Sequence, residues 1–380
     1  LQFLLTDIPD LTAPKLRYLS VIYDEIPEGM IYLADKKPIT LVEGQDMKRQ
    51  FGFVNVSPTA FMDSLSVNVR LSNPNLSGDI VLNGSVPPVA PGDTVQYEMT
   101  VPTQKRAGTH ALKISFDPRE QEQTAINNQL TYPAFATING ETTNPVLDVT
   151  IDGRYIMDGE LVSAQPIIRI RLKDENPYLT KADTSGLVLS LKPPGDHSVF
   201  ERIAFTDKRV AISYQEARNE VEILYRPGTL ADGIHTLRVQ GEDVSGNASG
   251  VEPYEIRFEV VNESTITHFY PYPNPFSTSC RFVFTLTGST IPYQMKIQVM
   301  TISGRVVREI HEDEIGPVHI GNNITQFAWD GTDQFGDPLA NGVYLYRVVI
   351  KNYGEGDVTH RYSAGDNAFT DGFGKLYILR

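Results

Sequence analysis

Short runs in which apolar and polar residues alternate are the feature that most constrains this chain. The clearest run, 64–71, reads SLSVNVRL, and similar runs recur at 95–101 and 110–116 with Pro, Gly, Asp or Asn between them. A period of two turns one face of a strand toward a core and the other toward water. Helical periodicity is almost absent. Short strands with a turn about every ten residues are typical of β-sandwiches, so the sequence predicts an all-β fold.

The length of 380 residues suits two or three domains. We predict three consecutive Ig-like β-sandwich domains at 16–137, 138–262 and 263–380. Residues 1–15 are predicted to be the tail of an upstream segment, because LQFLL at 1–5 is too short for a membrane span or a signal peptide. The first domain contains, between and after its strands, Gly-Asp-Thr, then Asp-Pro, then Asn-Asn. This order resembles adhesion-type Ig-like modules of bacterial surface proteins.

The composition excludes several classes of partner. The net charge of −14 disfavours nucleic acid and anionic lipid surfaces, because both require clustered Lys or Arg. No run reaches the ~18 apolar residues of a spanning helix, so we expect no direct membrane span. Cys280 is the only cysteine, which leaves an intramolecular disulfide impossible and the fold dependent on packing.

The predicted second domain ends on a hairpin signature. Residues 232–247 read DGIHTLRVQGEDVSGN, in which Asp-Gly makes a turn, His235, Leu237 and Val239 share one face, and Gly-Asn turns the chain again. This order resembles the terminal hairpin of many extracellular Ig-like domains.

The predicted third domain carries the most specific motifs. YPNPF stands at 272–276, WDGTDQFGDPLANGVYLYRV at 329–348, and a lysine at 351. In this order, over about 80 residues, they resemble two related families. One is the Ig-like domain of flagellar hook-capping (FlgD-like) proteins. The other is the C-terminal sorting domain of the Bacteroidetes type IX secretion system, which begins with YPNPF and ends in GVY-x-Y followed by a lysine.

Two departures narrow the resemblance. The chain carries an extra stretch at 311–323 and continues for 29 residues after Lys351. This long form resembles the C-terminal region of the PorU-like, gingipain-type sortase components of type IX secretion. The resemblance implies a non-catalytic chain at the cell surface, on the extracellular face of the outer membrane, with a cysteine peptidase domain upstream of Leu1. The implied partners are a PorV-like outer-membrane β-barrel shuttle and other type IX components.

The resemblance also implies which residues bear or support the partner-binding surface. They are Tyr272, Pro273, Asn274, Pro275, Phe276, Trp329, Asp330, Gly331, Gly342, Tyr344, Tyr346 and Lys351.

Other candidate groups each have two interpretations. Cys280 could be a thiol nucleophile or a buried apolar side chain. Asp330, Asp333 and Asp337 could hold calcium, the only cofactor considered, or could serve the turn. The same choice applies to Asp243 with Asn247. Trp329 could stack on a sugar or fill the core of a sandwich.

Two further groups are surface candidates. The aromatic residues Phe269, Tyr270, Tyr272 and Phe276 could dock a partner or pack a linker onto the third domain. The acidic run 312–314 is expected to be solvated.

Two other functions remain open at this stage. A cell-surface adhesin or carbohydrate-binding stalk exported by the type IX system would show an exposed row of aromatic residues on the first or second domain. An enzyme fragment would use a sandwich loop to complete the active site of an upstream peptidase.

Overall fold

A computed structural model describes residues 16–351, 359–360 and 372–380. The regular elements among these residues are almost all strands, which confirms the predicted all-β fold. They divide into two compact units between Glu141 and Thr142. Three separate hydrophobic cores lie within these units, one in the first and two in the second. Residues 1–15, where the upstream tail is predicted, lie outside the described part.

The first unit is a sandwich of a three-stranded and a five-stranded sheet, in the orders β1-β3-β6 and β2-β8-β7-β4-β5. The strands are β1 Gly29–Tyr32, β2 Ile39–Val42, β3 Met47–Asn55, β4 Leu65–Ser72, β5 Ile80–Val86, β6 Thr94–Val101, β7 Gly108–Asp117 and β8 Gln129–Asn139, with a 3₁₀ turn at Ile126–Asn128. Phe51 and Phe53 of β3 are fully buried between the sheets. The alternating run at 64–71 becomes β4, whose four apolar residues face this core.

The second sandwich pairs a five-stranded sheet, β10-β17-β16-β12-β13, with a four-stranded sheet, β14-β15-β11-β9. Its strands are β9 Val146–Ile151, β10 Glu160–Val162, β11 Ile168–Lys173, β12 Val188–Lys192, β13 Glu201–Arg202, β14 Val210–Gln215, β15 Glu220–Tyr225, β16 Gly233–Gln240 and β17 Tyr254–Val260, with a 3₁₀ turn at Glu216–Arg218. Asp152 and Gly153 form a turn after β9, with positive φ at both residues. His235, Leu237 and Val239 of β16 are buried on one face.

The third sandwich pairs two four-stranded sheets, β22-β19-β18-β24 and β21-β20-β23-β25. Its elements are β18 Thr265–Tyr272, β19 Arg281–Leu286, β20 Gln294–Thr301, β21 Val306–Ile310, α1 Glu312–Ile315, β22 Gly321–Ile324, β23 Gly342–Lys351, β24 Thr359–His360 and β25 Gly374–Ile378. The core is rich in aromatic rings: Phe269 lies 5.7 Å from Phe282 and 5.6 Å from Tyr346, measured between ring centroids.

Trp329 forms a single β-bridge, in which it exchanges backbone hydrogen bonds with Cys280. One segment of the third sandwich differs from the sequence expectation. The acidic run forms the short helix α1 and is only partly solvated. Glu314 is half-buried because it accepts from the His311 backbone N–H at 3.1 Å and pairs with Arg308.

The second and third sandwiches meet at close backbone contacts. The N–H of Ala164 donates to the carbonyl of Gly288 at 3.1 Å, and Gly288 N–H donates to Val261 at 2.9 Å. A Cβ on Gly321 would lie 2.7 Å from the Leu161 carbonyl oxygen, so glycine permits this approach. Leu161 also packs on the core of the third sandwich. Among the described residues, no helix is long and apolar enough to cross a lipid bilayer.

Candidate functional site: a strand clamp in the third sandwich

The YPNPF segment forms the loop after β18 and holds the last strand, β25. The side-chain amide of Asn274 donates to the Lys375 carbonyl at 3.1 Å, and its oxygen accepts from the Tyr377 N–H at 2.9 Å. One carboxamide thus pairs with β25 as a neighbouring strand would. The peptide bonds before Pro273 and Pro275 are cis. Tyr272, Pro273, Asn274 and Pro275 are exposed at this loop.

Phe276 continues the loop into the core. Its N–H donates to the Tyr377 carbonyl at 3.1 Å, and its carbonyl accepts from Leu379 at 3.0 Å. The ring is buried and lies 5.6 Å from the ring of Trp329. Trp329 is 0% exposed, and its indole N–H donates to the Thr332 carbonyl at 2.9 Å. Trp329 therefore fills the core of the sandwich and presents no face to a sugar.

The turn after Trp329 brings a second loop against the end of β25. Asp330 accepts from both the N–H and the hydroxyl of Thr332, at 3.1 and 2.7 Å. The hydroxyl bond is the main reason that the pKa of Asp330 is below its usual range. Gly331 has φ +76°, and a Cβ there would lie 2.8 Å from the Arg380 guanidinium. Arg380 in turn donates to the Asp330 carbonyl.

Asn341 makes the same pair of side-chain hydrogen bonds as Asn274, but to the backbone of Arg380, which follows β25. Its side-chain amide donates to the Arg380 carbonyl at 2.9 Å, and its oxygen accepts from the Arg380 N–H at 3.0 Å. Asn341 and Arg380 were not among the predicted site residues. Asn341 stands immediately before the GVY-x-Y segment, and that position is the only sequence signal that could have pointed to it.

The GVY-x-Y segment forms the first half of β23, and this half pairs with β25 along the whole length of β25. Gly342 lies opposite Ile378 and Tyr346 lies opposite Gly374. The Tyr344 hydroxyl donates to the Ala340 carbonyl at 2.9 Å, four residues earlier. The buried Tyr346 hydroxyl donates to the Phe269 carbonyl at 3.1 Å. A Cβ at Gly374 would overlap the Tyr346 ring, so this strand position requires glycine. Lys351 ends β23 opposite Gln294.

The acidic loop is built from turn hydrogen bonds. The Asp333 carboxylate accepts from the N–H groups of Phe335 and Asp337, at 2.9 and 3.0 Å. Asp243 and Asn247 in the second sandwich bond in the same local way. Within the described ranges, no three His, Cys, Asp or Glu side chains are placed to share a metal ion, and this includes Asp330, Asp333 and Asp337. The geometry favours the turn interpretation of these residues.

The contacts of Asn274, Phe276, Gly331, Asn341 and Tyr346 with residues 374–380 are called the clamp. Several apolar residues elsewhere in the third sandwich are exposed. The sheet register places Tyr270, Val283 and Ile324 in one row across β18, β19 and β22. Tyr270 and Ile324 are 43% and 54% exposed, and Tyr272 is 66% exposed. Of the four aromatic candidates, Tyr270 and Tyr272 are therefore on the surface, whereas Phe269 and Phe276 are in the core. Phe335, at the tip of the acidic loop, is 81% exposed and was not predicted as a site residue.

Cys280 begins the strand region next to Trp329 and is buried. Burial raises the pKa of its thiol to about 12. A thiol in this state is not ionised near neutral pH, and the thiolate is the nucleophilic form. The geometry thus favours the interpretation of Cys280 as a small core residue.

Three solved structures are similar to this chain at 11–15% sequence identity. No protein-family model and no curated protein matches it. It is similar to dimeric latent PorU from Porphyromonas gingivalis at 15% identity and a TM-score of 0.26, over 93% of this chain and 34% of that one. The chain thus spans about a third of the length of that PorU chain.

Two further solved structures are similar at comparable levels. One is the CARDB domain of a Pyrococcus furiosus protein in complex with di-metal ions, at 15% identity and a TM-score of 0.23, over 33% of this chain and 100% of that one. The other comprises three N-terminal domains of the Hoc outer capsid protein from bacteriophage RB49, at 11% identity and a TM-score of 0.24, over 87% and 94% of the two chains.

Proposed function

We propose that residues 263–380 are a sorting-type domain in a PorU-like surface component of a type IX secretion system, on the extracellular face of the outer membrane. One observation carries the proposal. The YPNPF, WDG and GVY-x-Y segments are distant in sequence, yet all three contact β25. The side-chain amide of Asn274 hydrogen-bonds to the backbone of β25. Gly331 has no side chain, which lets its loop approach β25, and the Tyr346 ring covers Gly374. The three motifs thus act together in the structure, because all of them hold β25 in place.

The proposed role divides the motif residues into two groups. Phe276, Trp329, Tyr344 and Tyr346 are buried and support the domain from inside. Tyr272, with the adjoining row of Tyr270 and Ile324, is exposed and supplies the contact surface. An exposed aromatic and aliphatic surface of this kind suits a protein partner. The partner in this proposal is a PorV-like outer-membrane β-barrel, together with other type IX components.

The proposal assigns no catalysis to this chain. The high pKa of the buried Cys280 thiol supports this assignment, because the group is neither accessible nor ionised. A cysteine peptidase domain would stand upstream of Leu1, and the first two sandwiches would act as spacers or docking modules. In this scheme the third sandwich is recognised as a folded surface.

The test is direct binding of the full chain to a purified PorV-like barrel in detergent, measured by biolayer interferometry. We expect saturable binding by the wild-type chain and at least tenfold weaker binding by Tyr272→Ser, because exposed tyrosines at interface centres carry much of the binding energy. Tyr214→Ser is the matched control, since Tyr214 is a 43% exposed strand tyrosine in the second sandwich. Its affinity should equal that of the wild type.

Two outcomes would count against the proposal. Absence of binding by the wild-type chain removes the shuttle as a partner. Equal weakening by Tyr214→Ser and Tyr272→Ser places the contact outside the third sandwich. If the chain instead binds a glycan on an array with micromolar affinity, the function of a surface adhesin or carbohydrate-binding stalk replaces this one.

A further inference from the structure

Asn-Gly pairs in a protein chain lose ammonia spontaneously, and this chain has three of them, at 83–84, 139–140 and 341–342. Asparagine is labile in this context because glycine has no side chain to keep its backbone nitrogen away from the preceding side-chain carbonyl. The first two pairs belong to the first sandwich, in β5 and at the end of β8. The third pair stands in the clamp, where residues 378–380 hold both of the groups that the reaction needs.

The side chain of Asn341 is the group that would be attacked, and Arg380 fixes its position. The side-chain amide donates to the Arg380 carbonyl at 2.9 Å, and its oxygen accepts from the Arg380 N–H at 3.0 Å. Attack by the next residue requires the carboxamide to rotate toward the Gly342 nitrogen, which breaks both bonds. Asn341 is exposed, so water reaches this position.

The backbone nitrogen of Gly342 is the attacking group, and β25 occupies it. The register places Gly342 opposite Ile378. Tyr377 and Leu379, on either side of Ile378, direct their N–H groups to the loop at 274–276 instead. Neighbouring residues of a strand point their backbone groups in opposite directions, so those of Ile378 point to β23 and exchange hydrogen bonds with Gly342. The Gly342 N–H is therefore tied to β25 while the strand is docked.

The reaction at this pair needs no reagent other than water. The Gly342 nitrogen loses its proton and bonds to the side-chain carbonyl carbon of Asn341, the carbon–nitrogen bond of the carboxamide breaks, and ammonia leaves. One water molecule then opens the resulting succinimide ring at either of its two carbonyls. The product is aspartate or isoaspartate, and in isoaspartate the main chain runs through the former side-chain carbonyl.

Both products weaken the contacts that residues 378–380 make. An aspartate at position 341 has no N–H to donate to the Arg380 carbonyl, and its carboxylate would face that carbonyl oxygen. An isoaspartate lengthens the main chain by one carbon directly before β23, which displaces Gly342 from Ile378. Redocking of β25 does not restore the lost amide, so the change is permanent.

We propose that Asn341–Gly342 is a deamidation site that the docking of β25 keeps unreactive. A chain whose last strand is docked retains Asn341. A chain whose last strand stays undocked converts Asn341 and afterwards holds β25 less firmly. The modified residue therefore distinguishes chains in which β25 has been undocked from chains in which it has stayed docked. This inference rests on the clamp geometry and does not depend on the sorting function.

The test follows all three Asn-Gly pairs in the full chain, by peptide mapping with mass spectrometry during incubation in a mildly alkaline buffer. The chain unfolded in guanidinium chloride gives the rate of each pair without structure. We expect Asn341 to convert at least about tenfold more slowly in the folded chain, because its side-chain bonds and the strand pairing must open first. A folded rate equal to the unfolded rate would overturn the proposal.

Asn274→Ala loosens β25 from its other edge without a change at 341–342. It removes two hydrogen bonds to β25. Hydrogen exchange of residues 374–380 and conversion of Asn341 should therefore both rise, by about tenfold. Faster exchange with no faster conversion would show that docking does not control the reaction.

Controls for this variant lie in both sandwiches. Conversion of Asn83 and Asn139, in the first sandwich, should not change. Asn322→Ala is the matched substitution, because the Asn322 side chain accepts from Thr285 at 2.6 Å in the sheet of the third sandwich that does not contain β25. Asn341 should convert at the wild-type rate in Asn322→Ala, and an acceleration equal to that of Asn274→Ala would count against the proposal.

Two further variants complete the test. Leu376→Ala with Ile378→Ala removes both core side chains of β25, so the strand opens even if Asn274 contributes little. Unchanged conversion of Asn341 in this variant would overturn the proposal. Asn341→Asp carries one of the two products, and its residues 374–380 should exchange at least about threefold faster than those of the wild type. Wild-type exchange there would show that conversion leaves the clamp intact, which is the opposite of the proposal.

Discussion

The second and third sandwiches complete their sheets in different ways. In the second, β16 and β17 are neighbours in sequence and pair directly, and the Asp243–Asn247 turn lies in the connection between them. In the third, β25 follows β23 only after 22 intervening residues, and side chains from two distant loops hold it. Asn274 and Tyr377, which share a hydrogen bond, are 103 residues apart. A locally encoded strand needs only its own turn, whereas β25 needs most of the domain to be in place.

The largest effect is expected from breaking the remote strand itself. Leu376 and Ile378 of β25 are 0% exposed, so Leu376→Ala with Ile378→Ala should cost about 4–10 kcal/mol of unfolding free energy. Chemical denaturation followed by tryptophan fluorescence measures this, because Trp329 is the only tryptophan and lies in the third core.

The control for this change is on the same strand. Lys375→Ala with Tyr377→Ala alters side chains on the exposed face and should cost about 1 kcal/mol or less. Hydrogen exchange of the β16–β17 peptides should stay near wild-type levels in both variants. If those peptides lose protection together with β25, the second and third sandwiches unfold as one cooperative unit. The proposed difference between a locally formed and a remotely held strand would then be wrong.

A smaller effect is expected from substitutions in the loops beside β25. Gly331, Gly336 and Gly246 all have positive φ, but only Gly331 would bring a Cβ against other residues, with Arg380 at 2.8 Å. Alanine at Gly336 or Gly246 should cost about 1–2 kcal/mol from backbone strain alone. Gly331→Ala should exceed both by at least about 1 kcal/mol, because the loop must also move away from β25. Urea unfolding curves of the three variants give the order, and a Gly331→Ala cost no greater than that of Gly336→Ala would exclude the loop as part of the clamp.

The smallest effect concerns pH and is confined to the third sandwich. The Cys280 pKa is raised from 9.0 to about 12 in the folded chain, so the unfolded chain releases this proton first. The stabilising difference is complete below pH 9 and is lost as pH rises from 9 toward 12, at up to about 1.4 kcal/mol per pH unit. The measurement is the unfolding free energy of wild type minus that of Cys280→Ala, from pH 8 to 11. A difference that does not change with pH would show that the thiol ionises normally in the folded state.

Local patterns in the sequence predict most of the strands but little of the clamp. β4, β11 and β16 alternate cleanly, and each pairs with neighbours whose own alternation is visible, so their existence follows from the residues themselves. β25 is only five residues long, and the groups that fix it stand at positions such as Asn274 and Asn341. Nothing in the sequence near Gly374 reveals such remote partners.

The sequence likewise predicts only part of the candidate site. The motif order drew attention to 272–276 and 329–348, but it could not separate buried residues such as Trp329 from exposed ones such as Tyr272. That separation depends on which face of each strand meets the other sheet. The short helix at the acidic run has one signal in the sequence. Glu314 stands three residues after His311, the spacing at which a glutamate side chain accepts from the backbone N–H at a helix start.

The position of β25 has a consequence for vectorial synthesis. Chains leave the ribosome N-terminus first, and domains generally fold as units in that order. The second sandwich has all its strands once Val260 has emerged, whereas the third lacks a core strand until Ile378 has emerged. The third sandwich, which carries the motifs, therefore matures after the second. A chain whose translation stopped before Ile378 would lack the complete strand β25 and could not form the clamp. A formed clamp therefore shows that translation proceeded at least as far as Ile378.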